Sequence, residues 1–221
     1  MTSVLLSLTA VLAASAVAAP AALAAPGADR PAAVPAGWEA VDAADLARIG
    51  AEPDARRAPL AAGEDASAAA EEPELLALQS ARNGRFVATE VNYAAPNTGV
   101  LRARSAEFGG SWEGFAFEWD EASETYALRS LANDRYIAVE KNYTGSAQNV
   151  LRARSTSVGG WERFVLYYNE GLDRWALQST LNGLFVTMEN GYTGSLQYAL
   201  RARSAEITGS WEEFTLYGIG A

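Results

Sequence analysis

The sequence predicts an all-β fold, a β-trefoil of three four-stranded repeats, and three observations carry that prediction. A unit of about 50 residues occurs three times, marked by the pentapeptide LRARS at 101–105, 151–155 and 200–204. Within each unit, short runs of alternating apolar and polar residues are separated by Asn- and Gly-containing turns, which is the periodicity of strands rather than helices. The three units run from Leu75 to the last residue. A propeller typically needs at least four blades, whereas three related units can close one barrel about a threefold axis and bury together the apolar faces that none could bury alone.

The elements of the unit follow in order. The first strand is the segment beginning at Ala77, Ala127 and Ala176, reading ALQS, ALRS and ALQS. Asn83-Gly84, Asn133-Asp134 and Asn182-Gly183 come next; such dipeptides accept positive φ at both central positions and read as tight hairpin turns. The second strand is Phe86–Glu90 with its copies, rich in β-branched and aromatic residues. A longer loop of Asn, Tyr, Gly and Ser leads to the third strand, LRARS. Gly109-Gly110 and their copies break the chain before the fourth strand, 112–117 in the first repeat. This makes twelve strands in 147 residues, and a domain of that size buries roughly 70% of its unfolded surface, enough for a core without disulfides.

The residues before the repeats are of two kinds. Residues 4–25 are almost all Ala, Leu, Val and other small residues and end in Ala22-Leu23-Ala24, an apolar segment with a small-x-small cleavage site. A secretory signal peptide over 1–24 and an extracellular protein are expected, although Met1-Thr2-Ser3 supplies no Lys or Arg; uncleaved, the same segment is an N-terminal anchor. No later stretch is long and apolar enough to span a membrane. Residues 25–73 are rich in Ala, Pro, Asp and Glu, a composition that buries too little surface to offset the entropy of ordering. They read as a disordered acidic linker or pro-segment ahead of a domain at 74–221. The alternative is a short helix within 38–49, where Trp38, Val41 and Leu46 recur at roughly helical intervals, docking on the domain through Trp38.

Composition excludes several functions. There is no cysteine and no histidine, so thiol and Ser–His chemistry are out, as are the usual zinc ligands; no cofactor and no metal site are expected. The net charge of −10 is carried mainly by 25–74, with eleven acids against four arginines, and the repeats are close to balanced. A nucleic-acid partner would want a basic excess, so none is expected. The abundance of Ala and the preference for Arg over a single lysine, Lys141, suggest a bacterial genome of high GC content.

The repeat itself resembles a known family. L-x-S-x-x-N-G-x-[FY]-[VI], then L-x-A-x-S, then G-x-W-E-x-F-x-L is similar to the fascin-like β-trefoil repeat, matched three times from Leu75 onward. The Q-x-W signature of the ricin-type trefoil lectins is missing; Trp112-Glu113, Trp161-Glu162 and Trp211-Glu212 stand in that region. Actin bundling is not implied, because one trefoil with a secretory signal and one lysine lacks the basic surface it needs. The resemblance to secreted bacterial members implies a non-catalytic carbohydrate- or surface-binding module, with a protein–protein, inhibitor or adhesion module as the alternative.

The repeated polar residues divide into structure and candidate site. Leu101, Leu151 and Leu200, with Phe115, Phe164 and Phe214, read as core. Alternation along LRARS places both arginines on the face opposite Leu and Ala, and six outward arginines then recur with six acids: Glu90, Glu140 and Glu189, then Glu113, Glu162 and Glu212. They read either as cross-strand ion pairs or as three pockets where a guanidinium and a carboxylate hold a polyhydroxylated ligand. Tyr93, Tyr143 and Tyr192 lie three residues beyond the first set of acids and could stack on a sugar ring. The candidate ligand-binding residues are therefore Glu90, Asn92, Tyr93 and Arg104; Glu140, Asn142, Tyr143 and Arg154; and Glu189, Tyr192 and Arg203. The loop 94–98 diverges from its copies, as an inhibitor's one special loop would. No catalytic residue is expected: adjacent acids such as Glu212-Glu213 point to opposite faces of a strand, and the three repeats keep one polar set where an enzyme would single out one site.

Overall fold

The computed structural model describes residues 34–51 and 73–219; the expected signal peptide at 1–24 lies outside them. A two-residue strand, β1 (Glu39–Ala40), and a helix, α1 (Ala43–Ala51), precede the repeats. The first repeat holds β2 (Glu74–Ser80), β3 (Phe86–Glu90), β4 (Val100–Ser105) and β5 (Gly114–Asp120). The second holds β6 (Thr125–Ser130), β7 (Arg135–Val139), β8 (Leu151–Ser155) and β9 (Arg163–Asn169). The third holds β10 (Arg174–Ser179), β11 (Phe185–Met188), β12 (Leu200–Ser204) and β13 (Phe214–Gly218).

First and fourth strands close an antiparallel barrel in the order β2–β5–β6–β9–β10–β13, with β13 returning to β2. Second and third strands form three hairpins, β3–β4, β7–β8 and β11–β12. The hairpins meet around the threefold axis through their LRARS strands, where Val100 pairs with Arg152, Arg102 with Ala199 and Val150 with Arg201. Phe115, Phe164 and Phe214 are at most 1% exposed and Leu101, Leu151 and Leu200 at most 2%, so the symmetric core is the one the repeat announces.

The first turn of each repeat differs from the expected two-residue hairpin. Only its last residue has positive φ, at Gly84 (65°), Asp134 (56°) and Gly183 (69°). The loop is four residues long: Ser80 N–H donates to the Arg85 carbonyl at 3.0 Å, and Gly84 N–H donates to the Ser80 carbonyl at 2.9 Å. The asparagine serves another purpose. Asn83, Asn133 and Asn182 each donate from Nδ2 to the carbonyl of the LRARS alanine, Ala103, Ala153 and Ala202, at 2.9–3.0 Å, tying the turn to the third strand.

The expectation of a disordered linker fails over 34–51. Glu39 and Ala40 pair with Tyr168 and Tyr167 of β9, and Val41 N–H donates to the Leu166 carbonyl at 2.9 Å. Asp42 caps α1, its Oδ1 accepting from Asp45 N–H at 2.8 Å. Val41, Leu46 and Ile49 are buried in the main core, while Trp38, 8% exposed, packs on Tyr167, Ala176 and Phe185 outside it. Segment composition averages over such positions: four well-placed apolar side chains anchor a stretch that is otherwise acidic and Ala-rich.

Candidate functional site

Glu90 ends β3, and Glu140 and Glu189 directly follow β7 and β11. Each is buried, at 2%, 3% and 5% exposure. The adjacent LRARS strand presents two arginines on one face, two residues and so about 6.6 Å apart, and both reach the same carboxylate oxygen. Arg102 and Arg104 bind Glu90 Oε1, the former at 3.3 Å. Arg152 does so with Glu140 at 3.0 Å together with Arg154, and Arg201 and Arg203 with Glu189 at 3.2 and 2.7 Å.

The two arginines of each strand are not alike, and of the six expected to face outward only the second of each pair does so. The inner ones, Arg102 and Arg201, are only 7% exposed, and the Arg152 side chain is 12% exposed. Each donates from Nη1 to a tyrosine hydroxyl of its own repeat, Tyr93, Tyr143 or Tyr192. Each also donates from Nε to a main-chain carbonyl of a different repeat: Arg102 to Gln197 at 2.6 Å, Arg152 to Thr98 at 3.0 Å and Arg201 to Gln148 at 2.7 Å. Alternation along the strand is as read, but the face opposite the core is covered by the neighbouring repeat's loop. The next residue of that loop holds positive φ, at Gly99, Asn149 and Tyr198, and its carbonyl accepts from the N–H of Ala153, Ala202 and Ala103 at 2.8–3.0 Å.

The outer arginines remain accessible: the side chains of Arg104, Arg154 and Arg203 are 39%, 35% and 52% exposed. Arg154 also lies over the Trp161 ring at 5.4 Å. The tyrosines are half-buried, with an inner guanidinium 5.6–5.7 Å from each ring centroid. Tyr93 and Tyr143 pack against Val100, Val150 and Ala199, which meet near the axis. Asn92 and Asn142 stand exposed beside them, and Gly191 takes that place in the third repeat. Glutamate, tyrosine and outer arginine of each repeat are thus brought together around the inner arginine, which the sequence reading had not singled out although LRARS carries it three times.

Among the described residues, the second set of acids does not pair with arginine. Glu113, Glu162 and Glu212 are buried, and their Oε2 atoms accept from main-chain N–H groups of Gly109, Gly159 and Thr208 at 3.2, 2.9 and 3.1 Å. They fix the Gly-containing loop before the fourth strand. The tryptophans ahead of them are half-exposed rim residues, whose carbonyls accept from Thr89, Val139 and Met188 at 2.8–3.0 Å. The divergent loop 94–98 is held across the axis, Asn97 Nδ2 donating to Ser195 Oγ at 2.8 Å. Among the described residues, no three His, Cys, Asp or Glu side chains gather as a metal-binding group.

A closed six-stranded barrel capped by three hairpins defines this chain as a β-trefoil protein. Solved structures share the fold. The designed three-fold symmetric protein ThreeFoil superposes with a TM-score of 0.53 at 19% identity, over 66% of this chain and 99% of its own. A mosquitocidal holotoxin matches with a TM-score of 0.55 at 12% identity, over 66% of this chain but 17% of the toxin's length. A ricin B-like lectin of Macrolepiota procera, solved in complex with lactose, gives 0.51 at 11% identity, over 67% of this chain and 98% of the lectin. No family model matches the sequence, and no curated protein matches it either.

Proposed function

We propose that this chain is a non-catalytic, secreted binding module for glycans of a cell wall or extracellular matrix, engaging them at up to three repeat-related sites. One observation carries the reading: an accessible outer guanidinium, braced by a buried carboxylate, recurs in all three repeats at Arg104, Arg154 and Arg203. A cation held in one direction by a carboxylate behind it is a preorganised donor for sugar hydroxyls. The exposed Asn92 and Asn142 add donors and acceptors one residue before Tyr93 and Tyr143, and the part of the half-buried Tyr93, Tyr143 and Tyr192 rings that remains exposed offers stacking area. The lactose-bound trefoil lectin supports this reading, as does the repetition of one polar set where an enzyme would differentiate a single site. A glycan array probed with the full chain, followed by pull-down on insoluble cell-wall polysaccharide, tests it; failure to retain the protein on any polysaccharide would sink the reading.

A second reading follows from the resemblance to fascin-like repeats: a protein-binding or adhesive module. The observation favouring it is the loop 94–98, which lacks the short 3-10 turn found at Gly145–Ala147 and Gly194–Leu196. An actin co-sedimentation assay run beside the array separates the two.

A further inference from the structure

Three equivalent flanks lie at the junctions between repeats, and the chain treats each differently. At β9–β10–β11 the surface consists of Tyr167, Ala176 and Phe185, with Val165 and Ile207 at its margin, and Trp38 covers it. Tyr167 donates to Gln178 Oε1 at 2.9 Å, and Gln178 Nε2 donates to the Gly183 carbonyl at 2.9 Å. The same positions at β13–β2–β3 are Tyr217, Ala77 and Phe86, with Phe108 in place of Ile207. The hydrogen-bond circuit is the same: Tyr217 to Gln79 Oε1 and Gln79 Nε2 to the Gly84 carbonyl, each at 3.0 Å. At β5–β6–β7 Glu118 replaces the tyrosine and accepts from Arg129 at 2.7 Å and Tyr136 at 2.8 Å, so that flank is polar.

The β13–β2–β3 flank is apolar, and nothing like Trp38 lies on it among the described residues. Under Trp38, Phe185 is 0% and Tyr167 8% exposed, whereas Phe108 is 40% exposed and Phe86 and Tyr217 are half-buried. The Phe86 ring centroid is 6.4 Å from that of Phe108 and 5.5 Å from that of Tyr217, so three rings form one continuous surface. The sheet edge beside it differs in the same way. On β9, the edge facing β6 is taken up by Glu39 and Ala40 at Tyr168 and Tyr167. On β13 the equivalent edge carries Tyr217 and Gly218; β10 reaches only Phe214, and among the described residues no strand continues along it.

We propose that this flank is a docking site for an extended partner-protein peptide that carries a tryptophan. The indole lies over Phe86, Phe108 and Tyr217, and the two residues after it add to β13 as an antiparallel edge strand. The chain's own Trp38-Glu39-Ala40 on the equivalent surface displays the recognition chemistry: main-chain hydrogen bonds supply affinity and the aromatic surface selects the side chain. An open edge beside exposed aromatic rings is an arrangement that proteins otherwise cover or charge, as the other two flanks do. The proposal does not rest on the glycan reading.

The test titrates the full chain with a synthetic peptide of its own residues 34–42 by isothermal calorimetry. One site per chain is expected. Phe108→Ala should weaken binding about tenfold, since the lost ring contact is of the order that separates decades of affinity; replacing the peptide's tryptophan by Ala should weaken it as much. Phe108 is in an exposed loop, and an unchanged melting temperature verifies that the variant is folded. Ile207→Ala, on the covered flank, should leave the affinity unchanged. The proposal is overturned if the peptide gives no binding heat, or if Phe108→Ala binds as tightly as the parent. It is overturned too if Ile207→Ala alone weakens binding, since the peptide would then be exchanging with Trp38. Displacement of the peptide by a soluble oligosaccharide, or a chain dimer that Phe108→Ala dissociates, would assign the surface to a glycan or to a second copy instead.

Discussion

Arg201 donates from Nε to the main-chain carbonyl of Gln148 at 2.7 Å, and the two residues belong to different repeats. Arg102 and Gln197, and Arg152 and Thr98, repeat the contact around the axis. Each inner arginine therefore satisfies three kinds of acceptor at once: a buried carboxylate, a tyrosine hydroxyl and a carbonyl of the neighbouring lobe. This explains why LRARS recurs. Its first arginine locks one repeat to the next, while its second shares the carboxylate and faces outward.

That division makes a measurable difference between two arginines of one strand. Arg201→Leu strands the Glu189 carboxylate with one partner, removes the hydroxyl's donor and leaves the Gln148 carbonyl unpaired. A loss of about 3–5 kcal/mol in unfolding free energy is expected, the range for breaking a buried ion pair from one side. Arg203→Gln leaves Glu189 bound to Arg201 and should cost within about 1 kcal/mol, as exposed pairs do. Urea denaturation of the two variants measures both. Equal losses would contradict the assignment of a structural and an accessible arginine.

The N-terminal segment provides a second test. Trp38 is buried against Tyr167, Ala176 and Phe185, and Val41, Leu46 and Ile49 join the main core. Trp38→Ala should destabilise the chain by about 3 kcal/mol, the lower end of the range for removing a large buried aromatic, because it packs on the barrel's flank rather than at its centre. A chain beginning at Glu74 should still give an all-β circular dichroism spectrum, but with a lower melting temperature than one beginning at Val34. Identical melting temperatures would mean that the segment contributes nothing to the fold.

Much of this architecture could be read from the residues. The twelve strands of the repeats and the core at Phe115, Phe164 and Phe214 follow from alternation and from threefold recurrence, both visible along the chain; β1 does not. What could not be read depends on contacts between repeats. Alternation says that Arg102 and Arg104 share a face, but only the neighbouring loop decides that Arg102 is covered and Arg104 is not. In the same way, Glu113 and Glu90 are both repeated acids, and only the fold shows that one holds a glycine loop and the other an arginine pair. Trp38 was visible as an apolar residue in an acidic stretch; its partner surface, from residues 165, 167, 176, 185 and 207, exists only after the barrel closes.

A third prediction concerns pH. Burial raises the Glu74 carboxyl above its ordinary value, and the folded state therefore prefers its protonated form. Relative to neutral pH, a group of this kind contributes stability that is fully present below its unfolded value of 4.5 and is lost as pH rises through the higher folded value. Glu74→Gln removes the charge that burial disfavours. The variant should melt higher than the parent at pH 7 and at the same temperature at pH 3. A lower melting temperature at pH 7 would mean that the ionised carboxylate is a net stabiliser.

The last prediction addresses valency at the outer arginines. Tyrosine is the less informative target, because Tyr93, Tyr143 and Tyr192 accept from the inner arginines, and truncating them disturbs the lock between repeats. Arg104→Gln, Arg154→Gln and Arg203→Gln leave that lock in place and keep the fold within about 1 kcal/mol per site. If each repeat carries one weak site, a single substitution lowers the stoichiometry for a soluble sugar by a third, and the affinity of the remaining sites is unchanged. Retention on an insoluble polysaccharide should fall much more steeply with each further substitution, since simultaneous engagement multiplies weak sites into avidity. Calorimetry and pull-down with the single, double and triple variants measure the two quantities. Loss of all binding in one single variant would replace three equivalent sites by one dominant site, and full retention in the triple variant would move glycan recognition away from the outer arginines altogether.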